Sequence, residues 1–224
     1  MLTYANASQQ PWKAPRPTQT GAFPFSDGIH LMGSTMPFSR NEEIYGEGEP
    51  AEFIYKVVSG AVRTYKILND GRRQICAFHL PGDVFGLEAG EEHSFSAEAV
   101  SQSTVLVIKR SSVTALAAKD PAVSRQLWSL TAGELQKMQD HVMLLIKNAQ
   151  ERVVSFLLQM ARRMPATNEI DLPMSRQDIA DYLGLTIETV SRTLTQLETR
   201  ATIALPSSRR IVLRNRGLLD RLDA

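Results

Sequence analysis

The sequence has little with which to build covalent or metal chemistry. Cys76 is the one cysteine in 224 residues. No disulfide, zinc finger or multi-cysteine iron–sulfur cluster can therefore form within one chain. The four histidines, His30, His79, His93 and His141, are far apart in sequence. They show no metal-ligand spacing, and no metal or cofactor is expected. No run of about eighteen apolar residues is present to cross a membrane. The first residues lack a basic segment followed by an apolar stretch, so a soluble, cytoplasmic protein is expected. Excess charge is missing too. The net charge is +1, and over residues 150–224 eleven Arg and no Lys face nine Asp and Glu. A globally basic nucleic-acid signature is thus absent, and phosphate contacts need arginine placed locally. Nucleophile elbows and phosphate-binding glycine loops are lacking as well, and Glu91-Glu92-His93 lies in a loop without partners, so no enzyme is expected.

What is present is concentrated between Ser175 and Glu198, which reads as two short helices joined by a tight turn. Ser175 suits the cap of the first helix, with Asp178 at the capping-box position. Ile179 and Leu183 form its apolar face, and Ala180 is small enough for a close helix crossing. Gly184 falls where the chain must turn with positive φ. Leu185 plugs the turn and Thr186 caps the second helix. Val190, Leu194 and Leu197 give that helix an inward stripe. Its other face carries Glu188, Ser191, Arg192 and Thr195. Arg bonds two acceptors on guanine, Glu accepts from cytosine, and Ser or Thr serves several base edges in the major groove. An ordinary amphipathic pair with a solvated polar face needs none of this coincidence. Here the small residue, the glycine and both stripes keep helix-turn-helix spacing together.

Residues 179–192, Ile-Ala-Asp-Tyr-Leu-Gly-Leu-Thr-Ile-Glu-Thr-Val-Ser-Arg, resemble the recognition motif of the CRP/FNR superfamily of bacterial transcription regulators. The Glu188-x-x-Ser191-Arg192 form is similar to the FNR and FixK branch. The CRP branch has Arg in place of Ile187 and Gly in place of Ser191. The resemblance extends over about 190 residues. It implies Glu188, Ser191 and Arg192 as base readers and Ser175, Thr186, Thr189, Arg209 and Arg210 as contacts to the DNA backbone.

Residues 1–27 contain Pro11, Pro15, Pro17 and Pro24 and are expected to form a flexible arm. From about His30 to Ile108, short strands alternate with glycine turns, and Asn69-Asp70-Gly71 marks a hairpin. An all-β sandwich or barrel fits this pattern. The order also resembles a cyclic-nucleotide-binding β-roll, in particular Tyr55-x-Val57-x-x-Gly60 and Pro81-Gly82-Asp83-x-x-Gly86. In cyclic-AMP sensors a Gly-Glu pair meets the ribose and an Arg-Ser pair grips the phosphate. Gly86-Leu87-Glu88 matches the first only loosely, and His93-Ser94 stands where Arg-Ser is expected. A neutral imidazole is a poor phosphate partner. The N-terminal cysteines of oxygen sensors are absent. Gly86 and Glu88 occupy the places where haem-based carbon monoxide sensors carry their Cys and His ligands. The roll is expected to be a scaffold. Cys76 falls on the side of Phe78 and Leu80 in an alternating pattern and is expected to be a buried small hydrophobe.

From Ser124 to about Asn148 the period becomes helical. Trp128, Thr131, Leu135, Met138, Val142 and Leu145 follow a 3-4-3-4-3 seam, and Leu127, Leu130 and Leu144 form a second stripe able to cover the roll. Two stripes on one helix favour pairing with another chain, and the family resemblance makes this helix the dimer axis. A further amphipathic helix spans Arg152 to Met164, and residues 165–173 read as a loop. Thr202 to Leu213 reads as a hairpin, the wing of a winged helix.

The expectation is an α+β chain with a flexible arm over 1–27 and a cyclic-nucleotide-binding-like β-roll over 28–120. A dimerisation helix follows over 121–148 and a winged helix-turn-helix over 149–224. Its expected partners are double-stranded DNA, RNA polymerase and a second copy of itself, with no membrane. The resemblance implies an activator on palindromic TTGA-type sites, serving low-oxygen or nitrogen-fixation genes. The alternative is a ligand-gated regulator whose DNA binding depends on a nucleotide or anion in the roll.

Overall fold

Alternating Val, Ile and aromatic residues divide the first half of the chain into strands whose apolar faces meet. The computed structural model describes residues 19–25, 29–164 and 168–223. Nine strands come first: β1 (Gln19–Phe25), β2 (Ile29–Phe38), β3 (Glu43–Tyr45), β4 (Phe53–Ser59), β5 (Val62–Ile67), β6 (Arg73–His79), β7 (Val84–Phe85), β8 (Ser96–Ala99) and β9 (Ser103–Lys109). They form two sheets, ordered β1-β2-β9-β4-β7 and β3-β8-β5-β6. Between the sheets, Met36, Tyr45, Tyr55, Val57, Val62, Phe85 and Val105 close a core. Gly60 turns the corner from β4 to β5 at φ +81°, and a Cβ there would stand 2.3 Å from Ser103 Oγ. Only glycine fits.

The arm expected through residue 27 needs correction. Gln19–Phe25 is a strand paired antiparallel with β2, from Gln19↔Thr35 to Phe25↔Ile29. Pro24 does not exclude this, because β1 is an edge strand, where half of the N–H groups have no ladder partner to lose. Residues 1–18 and 26–27, the rest of that arm, lie outside the described residues.

Cys76 is a second correction. The register jumps from Thr64↔Ala77 to Tyr65↔Ile75, which leaves Cys76 as the extra residue of a bulge. The bulge shifts the phase of the strand. Ile75 is fully buried, whereas Cys76 is half-buried. Burial pushes its thiol up to about 11, so it stays a protonated, unreactive group at neutral pH.

The chain then turns helical with α1 (Arg110–Ala117) and α2 (Pro121–Leu145). The long helix begins at Pro121, three residues before its apolar pattern sets in at Ser124. Asp120 accepts from Ala122 N at 2.7 Å as N-cap, and Pro121 fits the first helical position. It stops at Leu145 because Asn148 starts the next helix, α3 (Ala149–Arg163), with a reciprocal capping box to Glu151. Leu127 and Leu130 pack against Ile54, Leu106 and Ile108 of the roll, as their stripe predicts.

The remaining elements are β10 (Glu169–Asp171), α4 (Arg176–Leu183), α5 (Ile187–Thr199), β11 (Ile203–Ala204), β12 (Arg210–Leu213) and α6 (Arg216–Asp223). The predicted hairpin is β11–β12, joined by β10 in a three-stranded sheet ordered β10-β12-β11. The segment read as a loop therefore contributes a strand, too short for its period to show. One contiguous core runs from Ile75, Phe78 and Leu80 of the roll through Phe156, Leu157 and Met160 of α3 to Leu183, Val190 and Leu194. Each such side chain contributes about 1.5–3 kcal/mol by leaving water.

Candidate nucleic-acid interface

Two caps and one left-handed residue shape the turn between α4 and α5. Ser175 Oγ accepts from Asp178 N at 3.1 Å, and Asp178 Oδ2 accepts from Ser175 N at 3.0 Å. Gly184 ends α4 at φ 62°, ψ 39°. Leu185 N then donates to Ala180 O at 3.0 Å. Thr186 Oγ1 accepts from Thr189 N at 3.2 Å and starts α5. Ala180, Leu183 and Val190 are fully buried in one core with Leu194 and Leu197, so the two helices pack as a unit. The residues read from sequence as caps, plug and stripes all hold those places.

Packing the Val190–Leu194–Leu197 stripe inward leaves Glu188, Arg192 and Thr195 exposed and Ser191 half-exposed on one face of α5. This polar ledge continues through Gln196, Thr199 and Arg200. Arg176, missed by the sequence reading, belongs beside it. Its Nη1 lies 3.4 Å from Ser191 Oγ, and its buried Nε has no hydrogen-bond partner. The signal was its place directly after the Ser175 cap, at the positive end of α4. Ser175 itself is spent on the cap, since its hydroxyl also donates to Asp178 Oδ2 at 2.7 Å. In the wing, Ser207 Oγ accepts from Arg210 N at 3.1 Å. The Arg210 guanidinium reaches Glu169 at 2.8 Å, with both side chains half-exposed, while Arg209 is partly exposed. Such an exposed pair opens at little cost when a phosphate competes for the guanidinium.

Along α2 the predicted seam divides. Trp128, Leu135 and Val142 are 78%, 60% and 58% exposed, and Thr131 is exposed beside them. Met138 is 40% exposed at the flank, next to Glu134 and Lys137. Leu145 departs from the expectation and turns inward, packing on the core shared with α3 and α5. The exposed stripe instead takes in Met143 and Ile146, at 58% and 73%. Successive heptad positions drift by about 20° around a straight helix, enough to carry the last seam residue out of line.

The roll's interior is occupied by its own side chains. His93, where a phosphate-gripping Arg is expected, is buried and stacked on Tyr45, with centroids 3.6 Å apart and planes 11° apart. Burial lowers its pKa, against the opposing pull of Glu88. Glu88 accepts from Ser94 N at 3.2 Å and from Ser94 Oγ at 2.9 Å. The space between Tyr45, Thr64, His79, Phe85 and Glu88 is about 170 Å³. Small-molecule sites run to roughly 300–1,000 Å³. Among the described residues no group of three or more His, Cys, Asp or Glu could hold a metal ion, and no helix is long and apolar enough to cross a membrane.

Residues 151–222 match the family of Crp-like helix-turn-helix domains, and residues 35–120 match the cyclic nucleotide-binding domain. The nitrogen fixation regulation protein FixK of Azorhizobium caulinodans is 57% identical over 202 residues, spanning 88% of this chain and 82% of that protein. FixK of Rhizobium meliloti is 43% identical over 192 residues, spanning 85% of this chain and 86% of its own. The solved structure of FixK2 from Bradyrhizobium japonicum is similar at a TM-score of 0.84 with 55% identity, covering 87% of this chain and 98% of that one.

Proposed function

This chain belongs to the CRP/FNR family of transcription regulators, in its FixK branch, and from that premise we propose that it works as a homodimer on an inverted repeat of TTGA-type half-sites, activating low-oxygen or nitrogen-fixation genes. It is a DNA-binding regulator of transcription. The observation that carries the proposal is the α5 face. A fully buried apolar stripe holds Glu188, Ser191 and Arg192 outward at the N-terminal end of the helix, the end that enters a major groove. Arg192 reads guanine, with Glu188 and Ser191 completing the set. Thr186, Thr189, Arg209, Arg210 and Arg176 contact phosphates and set the register, and Ser175 supports them as cap. The exposed stripe of α2 pairs two chains and brings two such faces onto one side of the duplex. RNA polymerase is the partner through which bound protein acts.

A ligand-gated reading has the cyclic-nucleotide-binding match in its favour. Against it stand the small cavity and a carboxylate, Glu88, committed to Ser94 where a phosphate would need a cation. One selection tests both readings. Protein purified without added small molecule is mixed with a random duplex library, and the bound fraction is sequenced. Enrichment of an inverted TTGA repeat is expected. Enrichment of an unrelated site, or none until a nucleotide is supplied, overturns the proposal or its ligand-free form respectively.

A further inference from the structure

The helix that opens the helix-turn-helix is held by a carboxylate that serves two parts of the molecule at once. Asp178 Oδ2 closes the cap of α4 through Ser175. Its other oxygen, Oδ1, accepts from Arg63 Nη1 at 2.8 Å and from Arg73 Nη2 at 2.7 Å. Both arginines belong to the roll, on β5 and β6. Arg73 also donates its Nε to Asp181 Oδ2 at 2.9 Å, almost one turn further along α4. Arg63 sends Nη2 to Glu98 Oε1 on β8 at 2.6 Å, which fixes the guanidinium from behind. Arg63 and Asp178 are 6% and 3% exposed. Burial alone would raise the Asp178 pKa, but the bonds from Ser175 and the charges of Arg63 and Arg73 bring it net below the ordinary carboxylate value.

Stability does not explain this arrangement. A buried ion pair contributes little beyond what apolar side chains of the same size would give. The adjoining contact already has apolar side chains, with Phe78 of the roll against Tyr182 of α4 at 5.2 Å between ring centroids. What an apolar contact lacks is direction. A guanidinium fork bonds only in its own plane and only at set spacings, so it fixes rotation where packing tolerates it. The Arg73 fork spans two carboxylates of α4, Asp178 and Asp181, and Arg63, braced by Glu98, adds a further bond at Asp178, so together they set the angle of α4 on the β5–β6 hairpin. Because Leu183 of α4 and Val190 and Leu194 of α5 share one buried core, the angle of the recognition helix follows.

We propose that Arg63 and Arg73 are positioning residues for operator recognition, orienting the helix-turn-helix on the roll through Asp178 and Asp181 and so setting the half-site spacing a dimer accepts. The inference rests on the proposed reading of α5 and of the dimer. The two recognition faces must meet half-sites about one turn of DNA apart, and an error in their angle costs the second half-site rather than the first.

The test compares wild type with Arg63→Gln, Arg73→Gln and the double variant on three duplexes. These carry the selected inverted repeat, the same repeat with one base pair inserted between the half-sites, and a single half-site. Wild type is expected to prefer its own spacing by about tenfold or more, because both sites must be engaged at once. The double variant should lose most of that preference while its affinity for the single half-site stays within about twofold. Arg73→Lys, which keeps the charge but not the fork, should fall between them. A loss of half-site and full-site affinity in equal measure marks a role in folding only and overturns the proposal. Unchanged spacing preference overturns it too. A second measurement needs no DNA. Spin labels are placed at Val58→Cys on the roll and Thr199→Cys on α5, in a Cys76→Ala chain diluted with unlabelled protein. Their distance distribution should be narrow with the arginines intact and broad in the double variant. If it stays narrow the clamp is wrong; if it broadens while wild type ignores the TTGA repeat, only the recognition reading has failed.

Discussion

Glu88 in the roll and Glu188 on α5 are the same side chain in opposite circumstances. Glu88 is 14% exposed, bonds Ser94 twice and sits 3.6 Å from the buried His93 ring, while Arg110 holds its backbone carbonyl at 2.8 Å. Glu188 stands exposed at the first turn of a helix whose apolar side is completely buried. A polar group bonded by its own chain has little to gain from a ligand, because binding must first break what folding made. One left in water exchanges solvent for a partner on contact. The family match places a cyclic nucleotide-binding domain over the first region, yet of the two carboxylates it is the one in the second region that is left in water.

The largest way to break that comparison is to deny α5 its second copy. Leu135 lies at the centre of the exposed stripe, between Trp128 and Val142. In Leu135→Asp two carboxylates would meet across the seam, losing hydration and repelling each other. The dimer should weaken by several kcal/mol, leaving a folded monomer at micromolar concentration and neutral pH in sedimentation. Met138→Asp should be milder, because Met138 sits at the flank. An unperturbed Leu135→Asp dimer would put the seam on another face.

The roll offers the next effect in size. Burial pushes the His79 imidazole down to about 4, with Asp83 opposing and Lys137 and Arg163 adding. The ordinary value is about 6.5. Between these values the unfolded chain binds a proton that the folded chain refuses, so stability falls as pH is lowered. Where only the unfolded chain is protonated, the slope approaches about 1.4 kcal/mol per pH unit. His79→Gln should flatten that part of a denaturant-derived stability profile. An unchanged slope would assign the acid sensitivity to other groups.

On α5, Arg192→Ala should cost about 1–3 kcal/mol of operator affinity and relax preference at one base position. Arg209→Ala should weaken all sequences alike and reduce the salt slope by about one charge. Fluorescence anisotropy on matched and mismatched duplexes at several salt concentrations separates the two. Full discrimination retained by Arg192→Ala would remove it from the readers.

How much of this was legible in sequence follows from how local each signal is. The α4–turn–α5 unit was readable residue by residue, because caps, glycine and stripes all lie within a few residues of what they bond. The wing hairpin was readable for the same reason, but β10 was not, since three residues carry no period. Cys76 lies off the face its alternating pattern predicts because a bulge is a property of two strands, and neither sequence marks it alone. Leu145 continues the periodic stripe of the seam, while the core it packs on, from α3 and α5, comes later in the chain. The Arg63–Asp178 contact spans 115 residues, and no spacing rule reaches that far.

The smallest expected effect is none at all. Cyclic AMP should leave operator affinity unchanged, and calorimetry should detect no binding below millimolar concentration. A cyclic phosphate needs a cation and donors turned toward it. At that position this chain has His93, buried, stacked on Tyr45 and with its pKa lowered, so neutral above its ordinary value. Ser94, the neighbouring donor, is taken by Glu88, and that carboxylate would repel a phosphate brought to Ser94. The base and ribose fare no better, because Tyr45, Tyr55, Phe85 and His93 form one aromatic cluster in the roll, and the space beside it is about 170 Å³. Admitting the nucleotide would require unstacking rings that already bury one another, with no ion pair formed in return. His93→Arg alone should not restore binding, since Glu88 would pair with the new guanidinium before any phosphate did. Sub-millimolar binding by the wild type, coupled to tighter operator binding, would mean that this stack opens and that the roll is a receptor after all.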